Sequence, residues 1–194
     1  MLSKNLYSHK QHNFCCVAYV NIIMFMKKIF LLLLASLFVM PVMAQTKEEK
    51  EAKIKALYEN AKDAFDTKNW VIIPTLVTDS NGNVENNTDA GLFVAFEKTQ
   101  MFLQGWSVCG NSDTNVAQVS DYIVKTNKKG DITVLFNILG RKVRGSVIIR
   151  MRADGGNIAD VVYTPSGSGE TVKRYTGPVV HCAEANYFKR ANAI

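Results

Sequence analysis

From Val143 to Arg152 the chain alternates strictly: Val143, Gly145, Val147, Ile149 and Met151 interleave with Arg144, Ser146, Ile148, Arg150 and Arg152. A period of two sends the first set to one face of an extended strand and the second to the other, so one face is buried and one is wet. That is the signature of an antiparallel sheet, because parallel strands are covered on both faces and read as unbroken apolar runs. A chain carrying this segment must build a sheet with a core on one side.

Similar pieces flank it. VAQVSDYIVKT (116–126) and DITVLFNIL (131–139) are separated by the turn Asn127-Lys128-Lys129-Gly130. Gly140-Arg141-Lys142 leads into 143–153, and Asp154-Gly155-Gly156-Asn157 leads into IADVVYTP (158–165). Ser166 to Glu170 forms a hairpin loop before TVKRYTGPVV (171–180). Upstream, GLFVAFE (91–97) and QMFLQ (100–104) flank a tight turn near Lys98, and WVIIPTLVT (70–78) is β-rich, with Pro74 marking an edge or a bulge. Residues 81–90 and 105–115 read as loops, the second carrying Trp106 and Cys109. Short strands joined by Gly/Asn/Asp turns indicate a sandwich or barrel rather than βαβ units. The count comes to about eight strands, largely in meander order; an up-and-down barrel leaves no exposed edge and has room inside for side chains or one small ligand.

One amphipathic helix precedes the strands, over 46–67. Thr46 and Glu49 fit a capping box, and Ile54, Leu57, Tyr58, Ala61, Ala64 and Phe65 recur at three- and four-residue spacing. The expected role is packing against the domain, with a partner-binding helix as the alternative.

The region before the helix reads as a leader. Lys27 and Lys28 precede the uncharged run Ile29 to Val39, Pro41 breaks it, and Val42-Met43-Ala44 places small residues ahead of Gln45. This tripartite pattern predicts a signal peptide over 26–44, with an apolar run too short for a membrane span. Residues 1–25 fit no ordinary leader and are read as an extension upstream of a start at Met26. Gln45 stands where a lipoprotein needs cysteine, which argues against a lipid anchor. The mature chain, 45–194, is then a single domain, exported to the periplasm or beyond and without a stable membrane span.

Cleavage changes the charge. Residues 1–44 contain Lys4, Lys10, Lys27 and Lys28 and no acid, so without them the net charge of +6 drops by four. The clustered basic footprint of a nucleic-acid binder is then not expected. Cys109 and Cys182 survive; in an oxidising compartment they either pair or remain as two largely buried thiols.

The pieces from about Ala61 to Val180 resemble a family of secreted proteins from Bacteroides-type bacteria known as domain of unknown function 4251 (DUF4251). The carrying features are the leader, the Lys/Glu-rich helix, NWVIIPTLV (69–77), QVSDYIVKTNKKGDITVLFNIL (118–139) and RGSVIIRM (144–151). The resemblance implies a lipocalin-like β-barrel. It brings no established activity and no site residues; many such proteins are lipoproteins, and Gln45 departs from that pattern.

Catalytic and metal chemistry find little support. His181 is the one histidine in the mature chain, and Gly167-Ser168-Gly169 sits in a hairpin loop, not at a strand-to-helix elbow. His181 and Cys182 are sequence neighbours, which on a strand point to opposite faces. Two separated cysteines and one histidine offer no zinc spacing. Asp79-Ser80-Asn81-Gly82-Asn83 lacks the ligands of a calcium loop and suits a turn. No catalytic residue, cofactor or metal is therefore expected.

Two features remain. Lys125, Arg141, Lys142, Arg144, Arg150 and Arg152 form either a basic face for an anionic partner or the solvated side of the sheet. The aromatics Trp70, Phe93, Phe96, Phe102, Trp106, Tyr122, Phe136, Tyr163 and Tyr175 are core by default. If the barrel is incompletely filled, Trp70, Phe96, Trp106, Tyr122 and Phe136 are the candidate pocket lining. The expected function is a non-enzymatic periplasmic binding module for a small apolar or amphipathic ligand. The alternative is an envelope structural or interaction protein docking a partner through its helix or basic face.

Overall fold

A computed structural model of the chain describes residues 46–79, 81–89 and 91–190; the expected leader and the stretch before it lie outside the described residues. The first element is helix α1 (Lys47–Asp66), followed by β1 (Trp70–Ile72), β2 (Leu76–Thr78), β3 (Val84–Asn86), β4 (Phe93–Glu97) and β5 (Gln100–Gly105). A one-turn helix α2 (Trp106–Cys109) precedes β6 (Asn111–Thr126), β7 (Ile132–Gly140), β8 (Arg144–Met151), β9 (Ile158–Pro165) and β10 (Lys173–His181).

Strands β4 to β10 each pair antiparallel with the next, and β1 pairs with both β4 and β10. Eight strands thus close on themselves, and the fold is the mainly β, antiparallel barrel that the alternation demanded. β2 and β3 form a hairpin outside the closed ring: β10 pairs with β1 through Val179–His181 and with β2 through Arg174–Thr176. Pro74 falls in the gap between β1 and β2, where the missing N–H removes no barrel ladder bond.

The segment that set the class behaves as its pattern requires. Val143, Gly145, Val147, Ile149 and Met151 are buried, while Arg144, Arg150 and Arg152 are exposed. Gly145 has no substitute there: with φ +155°, a Cβ would stand 2.1 Å from the backbone oxygen of Thr164 on β9.

β6 solves a phase problem. Ala117 and Val119 face the core, so strict alternation would next turn Asp121 and Ile123 inward. A bulge between Ser120 and Ile123, with Asp121 at φ 55°, shifts the register and turns Tyr122 and Val124 onto the core instead.

α1 covers one end of the barrel. Its buried residues Tyr58, Ala61, Ala64 and Phe65 face the core. The Tyr58 hydroxyl donates to the Gly130 carbonyl in the β6–β7 turn at 2.6 Å, and the His181 Nε2 lies 3.1 Å from Asp63 Oδ2. That turn is held by Asn127, whose Oδ1 accepts the backbone N–H groups of Lys129 and Asp131 at 2.8 and 2.9 Å.

Two segments read as loops contain regular structure. Within 81–90 lies β3, because the Asp79 carboxylate accepts the backbone N–H groups of Asn81 and Asn83, each at 2.8 Å, and folds the chain back as a hairpin. Within 105–115 lie α2 and the first residues of β6. The polar run NSDTN has weak strand propensity, and it is held by pairing with β5 and by side-chain bonds among Asn111, Asp113 and Asn115.

The chain after β10 crosses the outside of the barrel. Cys182, Ala185 and Tyr187 pack with Val71, Phe93, Ala95 and Phe102 in a second apolar cluster on the outer face of β1, β4 and β5. Glu97 accepts from the Lys189 Nζ at 2.7 Å and from the Tyr187 hydroxyl, and the Lys189 Nζ lies 3.6 Å from the centroid of the Phe102 ring. The buried Gln104 donates to the Phe188 carbonyl at 3.0 Å and accepts from the Arg190 N–H at 2.9 Å.

Candidate functional site

At the α1 end the interior is occupied by rings. Trp70 meets Phe65, Phe96 and Phe136 at centroid distances of 5.6, 6.4 and 6.1 Å, and Tyr122 meets Phe96 and Phe136 at 5.3 and 5.7 Å. Four of the five aromatics singled out as pocket lining, Trp70, Phe96, Tyr122 and Phe136, therefore come together, packed on one another. Trp106 does not join them: it lies on the outer face of α2, 67% exposed.

The two thiols are free and far from each other along the fold. Cys109 is buried at the C-terminus of α2, beside Lys173 at the start of β10; Cys182 follows the last residue of β10. The length of a whole strand separates the two cysteines expected as a candidate disulfide, far beyond bonding reach. Cys109 accepts from Asn115 Nδ2 at 3.3 Å and donates to the Gly105 carbonyl at 3.3 Å; burial pushes its thiol up to about 11. Cys182 is turned to the Phe96 carbonyl at 3.7 Å, while His181 beside it meets Asp63, so sulfur and imidazole face different partners. No group of three metal-ligating side chains occurs among the described residues. The Asp79 carboxylate is held below its ordinary value by the Asn83 side-chain hydrogen bond.

The α2 end is different in character. A cleft of about 390 Å³ is lined by Gly140, Arg141, Lys142, Val143, Arg144, Ser166, Gly167 and Glu170. A second, of about 240 Å³, shares Lys142 and Glu170 and extends to Cys109, Asn111 and Lys173. Three turns build this mouth: α2 after β5, the tight β7–β8 turn, and the β9–β10 loop. Arg141, Lys142, Arg144 and Lys173 line it together with Glu170, and Asp113 on its rim pairs with Lys142 at 2.7 Å. The apolar lining is Val143 in the larger cleft, 2% exposed, and Pro165 in the smaller one.

The basic row read along the strands is thus divided. Arg141, Lys142 and Arg144 gather at the mouth, Arg152 pairs with Asp154 at 2.8 Å, and Arg150 stands opposite Asp160 across the β8–β9 ladder. Lys173 and Glu170 escaped the sequence reading. They belong to a strand end and a hairpin loop, and only barrel closure brings them beside Arg141 and Cys109.

Fold and site together define a small closed antiparallel barrel with a helix over one end and a basic mouth at the other. Among solved structures, a DUF4251 family protein from Bacteroides eggerthii has the same fold: the TM-score is 0.60 at 22% identity, over 70% of this chain and 95% of that one. This neighbour is a member of the family that the residues resemble, and the likeness shows the shared fold. No protein-family model and no curated protein matches the chain. Among the described residues no helix is long and apolar enough to cross a membrane.

Proposed function

We propose that the protein is a non-enzymatic binding module that takes a small amphipathic anion at the mouth of its barrel. The observation that carries this reading is the pair of adjoining clefts, where Arg141, Arg144, Lys173 and the Asp113-paired Lys142 gather with Glu170 beside the apolar Val143 and Pro165. Opposite charge supplies attraction and orientation, and apolar contact supplies the remainder. The aromatic cluster at the other end fills its space with its own rings, which favours the mouth over the deep interior as the place of binding. The tripartite leader supports export to the periplasm or beyond, where such a module meets ligands from outside the cell.

Titration of the 45–194 chain with hexanoate, followed by amide NMR, tests the reading. Shifts should concentrate in Arg141–Arg144 and Ser166–Lys173 and disappear in the double variant Arg144→Glu/Lys173→Glu. Hexanoate that leaves these residues unmoved, or moves the Trp70–Tyr122 end instead, overturns it.

A further inference from the structure

Beneath the mouth lies a buried hydroxyl without a partner. Tyr175 is on the interior face of β10, 2% exposed, and its hydroxyl is the one buried side-chain oxygen or nitrogen among the described residues with no hydrogen bond. Leaving such a group unpaired is costly, so each instance calls for an explanation. Other tyrosines here are satisfied: the buried Tyr163 donates to the Arg144 carbonyl at 3.2 Å, and the half-buried Tyr122 to the Phe65 carbonyl at 2.9 Å.

The neighbours of Tyr175 are those of the mouth. It stands two residues from Lys173, and Cys109 and Tyr163 are near enough to act on it electrostatically. Cys109 lines the smaller cleft, and the hydroxyl of Tyr163 is bonded to the backbone of Arg144, which lines the larger one. α2, which carries Cys109, packs on β10, the strand that carries Tyr175. Glycines bound this single turn on both sides, Gly105 at φ +104° and Gly110 at φ +81°. Gly105 is irreplaceable: a Cβ would fall 1.9 Å from Leu92 Cδ2. Such glycines let a short segment pivot without distorting the strands that carry it.

We propose that α2 is a hinged plug over a buried recognition point, and that the Tyr175 hydroxyl donates a hydrogen bond there to an acceptor oxygen of the anion held at the mouth. The inference rests on the mouth-binding reading and extends it inward. The ligand class is a carboxylate with a short apolar tail. One carboxylate oxygen accepts from Tyr175, the basic rim balances the charge, and the tail lies along Val143 and Pro165. Phosphate has the acceptors but no tail for those contacts.

Tyr175→Phe tests the hydrogen bond, with hexanoate as probe and inorganic phosphate for comparison. Hexanoate affinity should fall tenfold or more, while thermal stability stays level or rises because the unpaired oxygen is gone. Phosphate, binding only at the rim, should be unaffected. Unchanged hexanoate affinity overturns the inference, and a lowered melting temperature beside it assigns the hydroxyl to an internal water. In a Cys182→Ala background, hexanoate should slow labelling of Cys109 by a thiol reagent several-fold; an unaltered rate removes the plug. A wild-type protein that binds no hexanoate overturns the mouth reading and this inference together. Wild-type binding with full retention in Tyr175→Phe overturns this inference alone.

Discussion

The indole Nε1 of Trp70 donates to the Tyr122 hydroxyl at 3.1 Å, and that hydroxyl donates onward to the carbonyl of Phe65 at 2.9 Å. One oxygen therefore joins β1, β6 and the last turn of α1. The bulge at Asp121 makes the junction, since without it Tyr122 would face solvent.

Tyr122→Phe strands the buried indole N–H, while the Phe65 carbonyl keeps the Lys68 N–H at 3.2 Å, and is expected to destabilise the fold by about 2 kcal/mol. In a Trp70→Phe background there is no indole N–H left to strand, so the same substitution should cost less. Urea unfolding of the four variants in a double-mutant cycle measures the coupling, and a coupling energy indistinguishable from zero contradicts the arrangement.

Gly145→Ala addresses the close approach of β8 to β9. The new methyl would meet the Thr164 backbone oxygen, which cannot rotate away as a side chain can. The expected loss lies at the upper end of the ~1–3 kcal/mol typical of overpacking. Chemical denaturation checks it; a loss under 0.5 kcal/mol, the ordinary range of surface changes, would show that the strands separate easily there.

The segment after Cys182 acts as a strap on the outer wall. Truncation after Cys182 should expose Val71, Phe93 and Phe102, whose cover is supplied by Ala185, Tyr187 and Lys189. The truncated protein is expected to keep its far-ultraviolet spectrum, bind a hydrophobic dye such as ANS, and melt at lower temperature. Dye binding equal to that of the full chain would show that the strap covers nothing of consequence.

The architecture was legible where local pattern carries the physics. Alternation in 143–152 and the Gly/Asn/Asp turns set strand number and antiparallel pairing, and the three- and four-residue spacing of Tyr58, Ala61, Ala64 and Phe65 set the helix. What escaped depends on distant partners. The run from Asn111 to Asn115 looks like a loop until β5 and the strap are placed beside it, since Thr114 is bonded by Gln104 and Arg190. Trp106 read as a core aromatic, yet it stands outside because Val108 and Cys109 take the inner face of that single turn. The mouth is composed of turn residues and strand ends, Arg144 opening β8 and Lys173 opening β10, and their shared charge emerges only when the fold brings them together.

The strap also makes the molecule sensitive to acid through Glu97. Burial pushes the Glu97 carboxyl up, but hydrogen bonds from Lys189 and Tyr187 and the nearby Lys189 charge outweigh it, and the group rests below its ordinary 4.5. A carboxyl depressed in the folded state contributes stability that is fully present above its unfolded value and is lost as pH falls through the folded one. The Glu97 contribution should therefore hold at neutral pH and decline below about 4.5, loosening Tyr187 from Phe93. Tyr187 ring resonances followed from pH 7 downward should show this step. Glu97→Gln keeps an acceptor for Tyr187 but removes the charge that holds Lys189, so its strap should be looser at neutral pH and show no step of its own. Asp79, Asp131 and Asp154 are also held low, and their acid response should persist in the Gln variant, which separates the strap from the turns. An acid step at Tyr187 that survives Glu97→Gln unchanged would assign the sensitivity to the turns instead.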